Sequence, residues 1–147
     1  MNYAYYETIA GLVEIGCDDA VTSLRKVESP AHPHCPTALS DQAAAQLTEY
    51  FAGSRTAFDL PIRPMGTDFQ MAVWEALRAI PRGETRSYGQ IAASIGKPGA
   101  ARAIGMACNH NPIWILIPCH RVVGSNKKLT GYAGGLAMKQ MLLDLEK

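Results

Sequence analysis

The stretch Ser87-Tyr88-Gly89-Gln90-Ile91-Ala92-Ala93-Ser94-Ile95-Gly96-Lys97-Pro98-Gly99-Ala100-Ala101-Arg102-Ala103-Ile104-Gly105-Met106-Ala107-Cys108 decides the fold of this chain. Ser87 followed three residues later by Gln90 is a capping box, which satisfies two backbone N–H groups at a helix start. The helix that it opens runs through Ile95. Gly96-Lys97-Pro98-Gly99 is a tight turn, because proline cannot continue a helix and glycine supplies the backbone conformations a turn needs. Residues 100–108 then read as a second helix. Two short helices joined by a glycine-containing turn are a helix-turn-helix candidate.

Working upstream, Thr67-Asp68-Phe69-Gln70 is another capping box, and Phe69, Val73, Ala76, Leu77 and Ile80 follow as a helical stripe ended by Pro81-Arg82-Gly83. Arg55 to Met65, with Pro61 and Pro64, reads as a linker. Before it, Leu39, Ala43, Leu47, Tyr50 and Phe51 fall on one helical face, with Gly53 as the stop. Residues 28–37 contain three prolines and form a loop. The first 28 residues alternate as short strands: Val13, Ile15 and Cys17 against Glu14 and Gly16, then an Asp18-Asp19 turn before Val21. The expected architecture is therefore α/β: a small N-terminal α/β domain (1–60) with an antiparallel sheet, and an all-α, winged-helix-like C-terminal domain (61–147) carrying the helix-turn-helix.

Downstream, Asn111-Pro112 breaks the helical pattern and an apolar run leads into Pro118-Cys119-His120-Arg121. A polar turn follows, and Gly134-Gly135 precedes a last helix with Leu136, Leu142, Leu143 and Leu145. The longest apolar stretch, Ile113 to Pro118, is far short of the ~20 residues of a membrane span. The N-terminus has neither the basic start nor the apolar run of a secretory signal. The expected setting is a reducing cytoplasm, where cysteines at 17, 35, 108 and 119 without CxxC spacing do not form a disulfide framework.

The composition, 48% hydrophobic and 18% charged, is that of an ordinary globular protein. The net charge of +1 hides an asymmetry. Residues 1–59 carry three basic side chains against eight acidic, a net −5, and residues 60–147 eleven against five, a net +6. A basic C-terminal half suggests a polyanionic partner for that half, although a small protein also reaches such a split by chance.

Cys119 admits two readings. Behind Ile115-Leu116-Ile117-Pro118 it should be buried, and a buried free cysteine is most often inert packing with a raised pKa. His120 and Arg121 argue the other way, because nearby positive charge favours thiolate. A Cys–His pair also needs a third group to hold the imidazole. Glu146 is available on the last helix, though as the next-to-last residue it is also placed to fray.

Asn111-Pro112 followed by Ile115 to Gly124 (Ile-Leu-Ile-Pro-Cys-His-Arg-Val-Val-Gly) resembles the active-site block of the O6-alkylguanine-DNA alkyltransferases. Gly131 to Lys139 is similar to the block that follows in that family. The resemblance extends back through Tyr88 to Ala92 and Ala101 to Gly105, four linked blocks in order over residues 66–147. It implies single-turnover repair: an alkyl group moves irreversibly from O6-alkylguanine in double-stranded DNA to Cys119, with O4-alkylthymine a second candidate substrate. It further implies that His120, through a water, takes the thiol proton and that Glu146 orients His120. Asn111 would tie the turn beside the cysteine, and Tyr88 would control the flipped nucleotide and donate a hydrogen bond to the guanine. Arg102 would fill the hole in the base stack. Ala101 and Arg121 are further DNA-facing candidates, while Val122, Tyr132, Ala133 and Trp114 are substrate-pocket candidates. Ala133 stands where a serine is common in the family, so a backbone donor survives there and a hydroxyl does not.

The chemistry agrees with this assignment. Attack on an alkyl carbon needs a soft, strong nucleophile, and the lesion lies inside a duplex, so the base must leave the stack. Plainer readings stand beside these roles: Tyr88 as a surface aromatic, Arg102 as a solvated helix charge, Trp114 as core. His32, His34 and Cys35 with Cys17 invite a zinc site, but their spacing matches no standard one, so no metal and no cofactor are expected. Of the competing functions, a lesion-binding relative would carry tryptophan in place of Cys119. A helix-turn-helix regulator would need a dimer, and a Cys-His hydrolase no DNA-binding helix pair. The protein is expected to act as a monomer.

Overall fold

The computed structural model describes residues 1–126, 128–129, 131–132 and 135–147. The chain divides into two compact units: residues 1–65 with 112–114, and residues 66–111 with 115–147.

In the first unit, β1 (Asn2–Thr8), β2 (Gly11–Cys17) and β3 (Val21–Lys26) form an antiparallel sheet in that order. The register places Ala4 opposite Ile15 and Ile15 opposite Leu24, so the apolar positions share one face. α1 (Ala38–Phe51) covers that face, burying Ala43, Leu47, Tyr50 and Phe51 with Val13, Ile15 and Leu24. Its start is a capping box built from Thr37 and Ser40, a serine taking the role that usually falls to Glu or Gln.

On the opposite face Glu14 is buried, receiving hydrogen bonds from Arg25 Nε at 3.1 Å and the Tyr5 hydroxyl at 2.8 Å. The loop 28–37 is tied along β1. The His32 ring stacks on Tyr3 with centroids 4.1 Å apart, the Tyr5 N–H donates to His34 Nδ1, and the Cys35 N–H donates to the Tyr3 carbonyl. Among the described residues no three His, Cys, Asp or Glu side chains gather as a metal site.

The outer edge of β3 is paired by two distant segments. Residues 61–63, within the expected linker, exchange hydrogen bonds with Val21, while Arg63 pairs with Asp18 and Asp19. Farther along, Leu24 donates to the Pro112 carbonyl and accepts from the Trp114 N–H. Periodicity carries no sign of such a three-residue excursion, because its partner lies about 90 positions away.

The second unit begins with α2 (Asp68–Arg78), capped by Thr67 and Gln70 as the sequence predicts. Trp74 on this helix is buried, and its indole N–H reaches the Ala107 carbonyl at 2.9 Å. α3 (Tyr88–Ser94) and α4 (Ala101–Asn109) are the helix-turn-helix pair. Gly96 closes α3 with a φ of +75°; its N–H bonds to the Ala93 carbonyl and that of Lys97 to Ala92. That is a Schellman motif, which needs a residue tolerant of left-handed backbone.

The two-residue strands β4 (Arg86–Ser87) and β5 (Val122–Val123) pair in parallel, joining the start of the helix pair to the residues just after Cys119. α5 (Leu136–Leu145) ends the chain. Among the described residues no helix is long and apolar enough to cross a membrane.

Candidate active site

Cys119 sits at the start of a single 3-10 turn, Cys119–Arg121. The approach to it is tightly specified. Ile115 has a φ of +71°, an outlier for a β-branched residue that persists only when the surrounding structure imposes it. Pro118, at φ −82° and ψ 65°, makes an inverse γ-turn, and the Cys119 N–H bonds back to the Ile117 carbonyl at 2.8 Å. Asn111 holds this turn from the side. Its amide nitrogen donates to the Ile117 carbonyl at 2.8 Å and to Cys119 Sγ at 3.3 Å. Cys119 itself is 7% exposed.

His120 is fully buried, with Nε2 2.8 Å from Glu146 Oε2. Arg121 grips the same carboxylate as a fork: Nε donates to Oε1 and Nη2 to Oε2, each at 2.8 Å, while Nη1 donates to the Ile80 carbonyl at 2.7 Å. Two parallel charge-assisted bonds fix both the position and the orientation of the carboxylate. Arg82 Nη2 donates to the Leu145 carbonyl at 2.9 Å, so the end of α5 is held and Glu146 is buried.

Burial is the main cause that holds the His120 pKa below its ordinary value, against the pull of Glu146. A neutral ring beside a carboxylate places its proton on Nε2, which leaves Nδ1 as the basic nitrogen. Nδ1 is buried and has no protein partner among the described residues.

Lys139 completes the site. Its side chain is fully buried, with Nζ 5.8 Å from the centroid of the Tyr88 ring and 6.0 Å from that of Tyr132. Burial lowers its pKa, while the sulfurs of Cys119 and Cys108 act to raise it. Burial likewise pushes the Cys119 thiol up, offset in part by the Asn111 amide, the Lys139 ammonium and Tyr132. Cys108, on α4, is pushed up to about 12 by burial and fits the inert reading of a core cysteine.

Residues 68–147 match the family described as 6-O-methylguanine DNA methyltransferase, DNA binding domain, and residues 1–64 match its ribonuclease-like domain. A methylated-DNA–protein-cysteine methyltransferase of Mycobacterium tuberculosis is 52% identical over 145 residues, covering 95% of this chain and 87% of that protein. One from Methanosarcina acetivorans is 46% identical, covering 99% and 98%. The chain belongs to the O6-methylguanine DNA methyltransferase family. Among solved members of this family, the crystal structure of Mycobacterium tuberculosis OGT in complex with DNA superposes with a TM-score of 0.92 at 48% identity, covering 100% of this chain and 93% of that one.

Of the residues that the family resemblance singles out, Cys119, His120, Glu146, Asn111, Tyr88, Arg121, Val122 and Tyr132 all belong to the second unit. Tyr88 opens α3 and lies over Gly105 of α4, where an added Cβ would stand 3.7 Å from its ring. Val122 is buried in β5, Ala101 is half-buried at the start of α4, and Arg102 is exposed beside it. Arg121, expected to face DNA, has its guanidinium turned inward to Glu146 and Ile80, with a side chain 12% exposed. Trp114 belongs to the first unit, its ring 6.1 Å from that of Phe51, which gives it a packing partner there. Ala133 lies outside the described residues. The sequence reading passed over Lys139. Its signal was a spacing: residues 139, 142 and 146 follow a helical period, which puts a lysine and a glutamate on the face of buried Leu142.

Proposed function

We propose that this chain repairs alkylated DNA in the cytoplasm by direct reversal, as a monomer, taking the alkyl group of O6-alkylguanine irreversibly onto Cys119. The observation that carries the reading is a buried cysteine followed directly by a buried, neutral histidine that a fixed carboxylate orients.

At rest burial keeps Cys119 a thiol. Its proton passes through a water to His120 Nδ1, and the resulting imidazolium is stabilised by Glu146. The thiolate attacks the alkyl carbon; the S–C bond forms as the C–O bond breaks, and the electron pair of that bond goes to the guanine. Tyr88 donates a hydrogen bond to the leaving base, and the Lys139 ammonium holds positive charge beside both the thiolate and that tyrosine. The thioether formed would have to expel a thiolate to give its alkyl group up, a poor leaving group in that displacement, so each molecule acts once. This chemistry calls for no cofactor. The base reaches the pocket by leaving the duplex, with Arg102 on exposed α4 taking its place in the stack. O4-alkylthymine presents the same alkyl–oxygen bond and is a second substrate class.

The test is intact-protein mass after incubation with an oligonucleotide carrying O6-methylguanine. One methyl group per molecule, mapped to Cys119, and a Cys119→Ser protein that binds DNA without transfer are the expected results. Repeated turnover, or methyl on Cys17, Cys35 or Cys108, refutes the reading.

A further inference from the structure

Residues 80–83, the turn that follows α2, reach both the end of α5 and the arginine that grips its carboxylate. Arg82 Nη2 donates to the Leu145 carbonyl at 2.9 Å. Gly83 comes so near that an added Cβ would stand 3.2 Å from the Glu146 carbonyl oxygen. The Ile80 carbonyl accepts from Arg121 Nη1 at 2.7 Å. The turn is itself stiff. The Glu84 N–H bonds to the Pro81 carbonyl at 3.1 Å, and Gly83 between them has a φ of +84°. That is the pattern of a type II turn, whose third position favours glycine.

The last carbonyls of a helix have no partner inside it, and helix ends fray. A cation placed there bonds a free carbonyl and meets the negative end of the helix dipole. The last turn of α5 contains no basic residue, and Lys147 just beyond it pairs with Asp144. Arg82 therefore supplies that cation from another element. Glu146 is the residue directly after the helix, so its backbone moves with the last turn. Arg121 orients the carboxylate, but Arg121 is anchored to Ile80, on the same turn that holds Leu145. The carboxylate and its backbone thus share one point of reference, and His120 Nε2 lies 2.8 Å from Glu146 Oε2. We infer that Arg82 is a positioning residue for transfer, keeping Glu146 in register with His120 through the last carbonyl of α5. This role rests on the reading above that His120 takes the Cys119 proton.

The experiment measures single-turnover methyl transfer from saturating O6-methylguanine duplex, duplex affinity, and the nitrogen NMR signals of the His120 ring, below the Tm of every variant. In the parent the ring proton sits on Nε2. A misplacement of about 1 Å can slow a reaction by about 10²-fold, and Arg121 keeps part of the fixation. Arg82→Met should therefore transfer about 5–20-fold more slowly with parental affinity, its ring proton shared between the two nitrogens. Arg82→Lys keeps a charged donor of similar reach and should stay within about threefold of the parent. Because Arg82 acts through Glu146, adding Arg82→Met to Glu146→Gln should slow transfer by less than about twofold more. Gly83→Ala pushes on the Glu146 carbonyl without touching the guanidinium and should slow transfer in the same non-additive way; it decides the matter if Arg82→Met does not fold. Parental transfer with a parental ring proton in Arg82→Met and Gly83→Ala overturns the inference. So does slowed transfer with the proton still on Nε2, a full additive loss in the Glu146→Gln background, or lost affinity in place of lost rate, which makes Arg82 a DNA contact. A parent that transfers no methyl overturns the proposed function, and the ring proton of Arg82→Met then decides the hold on Glu146 by itself.

Discussion

Replacing Glu146 by Gln tests the core of the site. The carboxylate accepts three hydrogen bonds of 2.8 Å, two from Arg121 and one from His120, and its side chain is 1% exposed. Glu146→Gln removes the charge that offsets the nearly buried Arg121 cation, which keeps its bond to the Ile80 carbonyl. Breaking a buried ion pair by removing one partner costs about 3–5 kcal/mol. The amide keeps one acceptor oxygen, so about 3 kcal/mol is expected, or a fall in Tm of about 6–12 °C for a chain of this size. The effect on transfer is separate. An amide N–H facing His120 Nε2 turns that nitrogen into an acceptor and moves the ring proton to Nδ1, which removes the base and slows transfer by about 10²–10⁴-fold. Thermal unfolding and single-turnover transfer from a methylated oligonucleotide read the two effects. The double variant Arg121→Met with Glu146→Leu should recover most of the stability and none of the transfer, since it removes both charges and still leaves His120 without its acceptor. A Glu146→Gln protein that unfolds within about 1 kcal/mol of the parent and transfers at the parental rate refutes the reasoning.

Lys139→Met should hold or raise Tm, because a desolvated cation is removed, and slow transfer at neutral pH by tenfold or more (about 1.4 kcal/mol); unchanged transfer makes Lys139 packing alone. Because the native pKa of His120 lies below its unfolded value, its contribution to stability is fully present above about pH 6.5 and is lost as pH falls below that. Urea unfolding at pH 7.5 and 5.5 should therefore show lower stability at 5.5, and His120→Gln should lessen the difference. Gly66→Ala should destabilise by about 1–3 kcal/mol in thermal unfolding, since an added Cβ stands 2.6 Å from the Trp74 ring and from Gln70 Oε1; an unchanged Tm shows that the α2 start gives way freely.

The helix pair was legible because its signals are local: Ser87 and Gln90 cap α3, and Gly96 closes it nine residues after Ser87. Cys119 and His120 were legible from the block around them, since composition left the cysteine open between packing and chemistry. The antiparallel sheet followed from the alternation at Val13, Ile15 and Cys17. What escaped the sequence depends on distant partners. Lys139 reads as a surface charge until Tyr88, about 50 positions earlier, is brought against it. Arg121 is a DNA-facing candidate in the sequence, and its hold on the Glu146 carboxylate shows only once α5 is in place. The α1 cap was hidden because Ser40 does there what a longer side chain usually does. The two-residue strands β4 and β5 are too short for any period to show.

The three-residue excursion of 112–114 has a consequence for the first unit. Leu24 now satisfies its N–H and C=O against Pro112 and Trp114, and Val21 does so against 61–63. A fragment ending at residue 65 would keep the second pairing and lose the first. Half of the outer margin of β3 would then offer unpaired backbone groups next to Leu24, an open strand of the kind through which chains associate. The three borrowed residues thus act as a molecular selvedge, finishing the sheet so that it does not fray into a neighbour.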